Sequence, residues 1–178
     1  MGTVVAYKAI SLDGYATGPG DDLSRLHSWM DSPGAAEVTS EFFEAGAVVM
    51  GRRTLAAGEE PWGDEQVFPM PVFVVSHEQR EPYEKAGTRY TFVDTIERAL
   101  ELAQGVAGHR PVNLMGASVV QQCLAAGLVD ELRLHLVPVI LGAGIPLFAR
   151  SAGPIDLTTQ RVRQIDGIVH LTYHVVRA

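Results

Sequence analysis

Residues 47–54 read Ala-Val-Val-Met-Gly-Arg-Arg-Thr, and this octapeptide decides the fold class. Four consecutive apolar residues with no polar alternation are too short for a helix and match a strand buried on both faces. Gly51 ends the run, and Arg52-Arg53-Thr54 opens what reads as a short helix. A buried strand passing directly into a helix is the building unit of an α/β sheet. The unit recurs on either side. Residues 72–75, Val-Phe-Val-Val, repeat the buried strand, and residues 111–115 form another that runs through Gly116-Ala117 into a predicted helix over 118–126.

Working outward, residues 4–10 and 88–93 are strands by their β-branched and aromatic content. Residues 95–104 carry Ile96, Ala99, Leu100 and Ala103 on one helical stripe. Helices are also predicted over 23–30, with Asp22 as N-cap, and over 35–45, closed by Gly46. Residues 58–70, rich in Gly, Pro and acid, read as a surface loop. The C-terminal part departs from this alternation of strand and helix. Residues 131–140 alternate in part between apolar and polar, and strands 156–166 and 168–177 are joined through Asp166-Gly167, a hairpin signal. The expectation is one domain over residues 1–178, with a mostly parallel sheet, an antiparallel C-terminal hairpin and flanking helices.

Composition narrows the function. With 47% hydrophobic and 20% charged residues the chain can bury a core and does not resemble a disordered segment. Fourteen basic against 21 acidic side chains, a formal charge of -7, offer no basic stripe for a phosphate backbone, so nucleic acid is not an expected partner. The longest apolar stretch, from Leu134, is broken by Pro138, Gly142, Gly144 and Pro146, so no membrane span is expected. A single cysteine, Cys123, and no signal-peptide pattern suit a reducing, cytoplasmic location.

Two strand-to-helix junctions carry candidate chemistry. Arg52 and Arg53 at a helix start face the positive end of the macrodipole, which calls for an anion nearby; the first-turn N–H groups, Thr54 and a guanidinium would make a phosphate site. Pairing of the arginines with local acids such as Glu59 and Glu60 is the alternative. At Met115-Gly116-Ala117-Ser118, small residues would let a pyrophosphate approach the N–H groups of Ala117, Ser118 and Val119; a plain turn capped by Ser118 is the alternative. Ser76-His77, with Arg80 beyond, ends a third strand. Ligands of open α/β sheets bind at the carboxyl ends of strands, and no G-x-G-x-x-G follows the first strand.

No metal site is expected. His170 and His174, four apart on a strand, stand roughly 13 Å from each other, and with His135 they are taken as structural or surface residues. No G-x-S-x-G is present, and Cys123 falls mid-helix as a core residue.

The ordered set Ser11-Leu-Asp-Gly-Tyr-Ala16, Val48-Val-Met-Gly-Arg-Arg-Thr54, Phe73-Val-Val-Ser76, Leu114-Met-Gly-Ala117, Gly127-Leu-Val-Asp-Glu-Leu132 and Pro138-Val-Ile-Leu-Gly-Ala-Gly-Ile-Pro-Leu-Phe148 resembles the dihydrofolate reductase superfamily. It is most similar to stand-alone relatives of the C-terminal reductase domain of the bifunctional riboflavin-biosynthesis deaminase/reductase. The resemblance implies a three-layer α/β fold, NADPH across the strand ends, hydride transfer to a small heterocyclic or ribosylamino-pyrimidine-type substrate, and a homodimer. By motif position it implies Ala9 and Ala16 at the nicotinamide, and Gly51, Arg52, Arg53 and Thr54 at the phosphates. Ser76 and His77 would meet the 2′-phosphate, and Met115, Gly116, Ala117, Ser118 and Val119 the pyrophosphate.

Tyr7, Trp29 and Phe42 are the candidate acceptor walls. Glu37 and Asp13 are candidate proton donors, with Tyr15 and water as alternatives. A dihydrofolate (pterin) reductase, with Glu37 or Glu41 holding the ring, and a non-catalytic NADPH-binding protein are the competing functions.

Overall fold

The computed structural model describes residues 2–78, 80–149 and 153–177. In chain order the strands are β1 (Val4–Ser11), β2 (Tyr15–Thr17), β3 (Ala47–Gly51), β4 (Val72–Val75), β5 (Tyr83–Lys85), β6 (Thr88–Val93), β7 (Val112–Met115), β8 (Glu131–Val137), β9 (Ile145–Pro146), β10 (Leu157–Ile165) and β11 (Ile168–Val175). The helices are α1 (Ser24–His27), α2 (Ala35–Phe43), α3 (Arg52–Gly58), α4 (Ile96–Ala107) and α5 (Ala117–Ala125). Nine strands form one sheet in the order β10-β11-β8-β1-β7-β3-β4-β6-β5. From β8 to β6 every pairing is parallel; β5 pairs antiparallel with β6, β11 with β8, and β10 with β11. The small strands β2 and β9 pair separately.

The octapeptide at β3 shows why the sheet is covered twice. Ala47 and Val49 point into the core beneath α4 and α5, while Val48 and Met50 point the opposite way among Phe42, Leu55, Phe68 and Met70. All four residues are fully buried, as period-two alternation between two covered faces requires. A further cluster of Ala9, Leu26, Trp29, Val38 and Val137 continues the second face toward the C-terminal strands. Helix α4 begins where the Thr95 hydroxyl accepts from the Arg98 N–H at 3.2 Å, an N-cap. The hairpin between β10 and β11 turns through Asp166 and Gly167, both at positive φ (49° and 84°), the geometry that matches strand twist.

Differences from expectation are local. The helix expected over 23–30 is only α1 followed by a 3-10 turn, Ser28–Asp31. Strands β2, β5 and β9, of two or three residues each, carry too little pattern to be read. The two edge strands of the sheet are β10 and β5, and β8 and β11 lie inside it. No helix among the described residues is long and apolar enough to cross a membrane.

Candidate active site

A cleft of ≈ 1310 Å³ opens at the carboxyl ends of the parallel strands. It has two halves. Over β7, β3 and β4 it is lined by Met115, Gly116, Ala117, Ser118 and Val119, by Gly51, Arg52, Arg53 and Thr54, and by Ser76 and His77. The three junctions singled out in the sequence are therefore brought together, because β7, β3 and β4 are consecutive neighbours. Over β1 and β8 the lining is Tyr7, Lys8, Ala9 and His135, closed by His27, Trp29, Thr39, Phe42 and Phe43.

The first half is shaped by backbone. Gly116 sits at φ +93°, and a Cβ there would lie 2.3 Å from Thr54 Oγ1; only glycine fits both conditions. This close approach welds the two junctions, and no side chain caps the N-terminus of α5, whose first-turn N–H groups are the orphans of any helix start. The arginines are not held by Glu59 or Glu60. Arg53 binds both carboxylate oxygens of Asp21 at 2.8 and 2.6 Å, and Arg52 lies 3.8 Å from Glu78. Ser76 Oγ accepts from the Glu78 N–H at 3.0 Å, so Ser76 first shapes its own turn. Arg80 leaves that cluster: its guanidinium lies over the Phe92 ring, 4.9 Å from the centroid.

The second half is built from side chains. The Tyr7 ring meets Phe42 edge-on at 5.2 Å, and its hydroxyl donates to the Val38 carbonyl at 2.9 Å, so Tyr7 is a wall. Burial and then Glu41 push the Tyr7 hydroxyl well above its usual range, which keeps it protonated. Lys8 is the polar residue that sequence reading missed. Desolvation lowers its ammonium to about 8, and among the described residues it has no carboxylate partner. An unpaired ammonium on a cleft wall is a candidate contact for a polar ligand group. Burial, and secondarily Lys8, lower the neighbouring His27 to about 4. The only sequence signal for Lys8 was one charged residue in an otherwise apolar strand.

Four candidates are placed elsewhere. Ala16 is fully buried, and its neighbour Thr17 reaches the cleft instead. Asp13 does not line the cleft. It accepts from the N–H groups of Leu141 (3.1 Å) and Gly142 (2.8 Å), and the Ser11 hydroxyl followed by these bonds lowers its carboxyl to about 2, leaving no proton to give at neutral pH. Glu37 faces Arg163 at 3.0 Å on the outer side of α2. Glu41 is likewise held by Arg161 at 2.7 Å and Arg163 at 2.5 Å. The spacing of α2 put both acids on the face that meets β10, not on the face that meets the cleft. Cys123 is buried in the core, its thiol pushed up to about 12 by desolvation and then Glu97. No cluster of three or more metal-ligating side chains occurs among the described residues.

A model of the RibD C-terminal domain matches residues 3–171. The chain belongs to the RibD C-terminal domain family. Among solved structures, this family member superposes on a protein from Shewanella sp. PV-4 named for riboflavin biosynthesis with a TM-score of 0.80 at 24% identity, covering 99% of this chain and 100% of that one. Dihydrofolate reductase from Enterococcus faecalis, solved in complex with NADP(H), gives a TM-score of 0.64 at 15% identity over 97% and 96% of the two chains. These likenesses establish the dihydrofolate-reductase-like fold expected from the motifs. The Bacillus subtilis strain 168 protein YyaP is 42% identical over 60 residues, a match spanning 33% of this chain and only 32% of YyaP.

Proposed function

We propose that this RibD C-terminal domain protein is an NADPH-dependent reductase that passes a hydride to a small heterocyclic or ribosylamino-pyrimidine-type acceptor. The observation that carries the reading is the division of the cleft. A backbone-lined half with helix N–H groups, Arg52 and Arg53 adjoins an aromatic half with Lys8. The first half fits a dinucleotide. The absence of a Cβ at Gly116 lets Thr54 Oγ1 lie against the uncapped start of α5, where phosphate oxygens are well placed to accept N–H bonds. Gly51, Thr54, Ala117, Ser118 and Val119 would hold the phosphates, with Arg52, Arg53, Ser76 and His77 toward the 2′-phosphate and Ala9 beside the nicotinamide.

Bound NADPH would supply the hydride. The chain's own residues align the acceptor between Tyr7, Trp29 and Phe42, exclude water, and hold a proton at Lys8 Nζ for the atom that gains negative charge. Titration near 8 suits Lys8 to give and regain a proton near neutrality. Pterin reduction has less support, since Glu37 and Glu41 are engaged by arginines outside the cleft.

NADPH is expected to bind about 10–100-fold more tightly than NADH, the factor given by one charge-assisted contact to the 2′-phosphate. Titration of nicotinamide fluorescence checks this, and equal affinities would remove Arg52, Arg53 and His77 from the 2′-phosphate site. Oxidation of NADPH over a panel of pyrimidine and pterin acceptors separates an enzyme from a binder. We further infer a cytoplasmic homodimer. Support for the dimer comes from the edge strand β10, along which Leu157 and Val162 are 41% and 59% exposed, a surface that a second copy would cover. Light scattering at low micromolar concentration giving the 19.2 kDa of one chain would remove the dimer.

A further inference from the structure

Strand register creates a contact that neither strand announces. His135 on β8 stands opposite His170 on β11, and their Nδ1 atoms are 2.8 Å apart. The rings are only 4% and 5% exposed. Two Nδ1 atoms at this distance share a single proton: with none, two lone pairs confront each other, and with two, the N–H groups collide. Trp29 packs on both rings, with centroids at 5.0 and 5.2 Å, and Tyr7 lies 4.5 Å from His135. His135 is therefore part of the wall of the Lys8 half of the cleft.

The neighbours decide which ring keeps the shared proton. His170 also stands opposite Arg163 on β10, whose Nε is buried without a partner, as are both histidine Nε2 atoms. A guanidinium only donates, so the ring beside it is favoured with a bare Nε2 and its proton on Nδ1. We propose that His135 and His170 form a single-proton dyad in which His170 donates from Nδ1, fixing His135 as the neutral Nε2–H tautomer in the acceptor wall. His170 is thus a positioning residue acting through His135. The inference rests on the reading of that half as the acceptor site.

The other ionisable groups around the pair come from every packed element: Tyr7 of β1, His27 of α1, Glu37 and Glu41 of α2, Arg133 of β8 and Arg163 of β10. Burial and the arginines disfavour charge on either ring, while the acids are occupied by arginines. Flipping the His135 ring would forfeit its Nδ1 bond, so the facing of the ring is fixed as well.

Nitrogen-15 NMR of the histidine rings in the full chain near pH 7 tests the dyad. The expected result is His135 as Nε2–H and His170 as Nδ1–H, each by about tenfold over the other tautomer, with neither ring titrating between about pH 8 and 5. His170→Asn, whose amide can still donate, keeps the His135 tautomer, whereas His170→Leu lets it redistribute and titrate nearer its ordinary range. Arg163→Gln, which keeps the strand intact, shifts both tautomer ratios toward equality. Affinity for NADPH, measured in parallel, stays within about twofold in all three, so its loss would point to failure of the functional reading instead. His135 found as Nδ1–H, charged at pH 7, or unchanged by both His170→Leu and Arg163→Gln would overturn the dyad. If His170→Leu does not fold, the wild-type spectrum and Arg163→Gln still decide.

Discussion

The two halves of the cleft are made of different material. Over β7, β3 and β4 the surface is main chain and small side chains, and its shape is dictated by glycine positions and helix starts. Over β8 and β1 it is assembled from long side chains contributed by β1, α1, α2 and β8, whose sequence positions run from Tyr7 to His135. A surface of backbone N–H groups recognises what many ligands share, a phosphate. A surface of side chains recognises what distinguishes one ligand from another. On the proposed reading the first half takes a common cofactor and the second a particular acceptor, and the two should fail independently.

The largest expected effect comes from Lys8. Lys8→Met should lower turnover by roughly 100- to 10,000-fold, the range for loss of a positioned acid, while leaving NADPH affinity within about twofold. Steady-state NADPH oxidation beside fluorescence titration checks the split. A variant that loses cofactor binding and turnover equally would break the independence of the halves.

Gly116→Val probes the other side. A side chain at φ +93° that drives its Cβ to within 2.3 Å of Thr54 Oγ1 should cost about 3 kcal/mol of stability and abolish cofactor binding in the fraction that folds. Urea unfolding and NADPH titration report the two quantities separately. Unchanged stability would mean that the junction is looser than its close contact implies.

The smallest effect concerns acid. His27, His135 and His170 all have folded-state values below the ordinary 6.5, at about 4 and about 3 for the first two. The unfolded chain therefore binds more protons below pH 6.5, and the stability these groups contribute is complete above that pH and declines as pH falls toward about 3. Each histidine adds a slope of at most about 1.4 kcal/mol per pH unit. All three line or support the half of the cleft over β1 and β8, so His27→Gln should shallow the acid limb of a urea midpoint-against-pH curve relative to the unaltered chain. An acid limb as steep in His27→Gln as in the unaltered chain would remove His27 from this account.

How much was legible follows the same division. Ala47–Gly51, Val72–Val75 and Val112–Met115 were readable because a strand buried on both faces leaves a short, uninterrupted apolar run. The motifs after them were readable because a strand-to-helix turn is local. Even so, Arg52 and Arg53 found their partners in Glu78 and Asp21 rather than in Glu59 and Glu60, since chain proximity does not fix ion pairs. Glu37 and Asp13 were misplaced for a related reason. Nothing local says that α2 turns its acids toward Arg161 and Arg163, or that Asp13 is consumed by the backbone N–H groups of Leu141 and Gly142.

By itself the sequence determined the α/β class, the buried central strands, the hairpin at Asp166-Gly167 and the three junctions that line the cleft over β7, β3 and β4. These are consequences of period, turn chemistry and helix termini, all of which act over a few residues. Only the tertiary structure decided that Lys8 lies desolvated in a cleft, that His135 meets His170, and that Glu37 and Glu41 are spent on arginines. Burial and charge pairing are set by strand order and register, and those depend on where the whole chain returns.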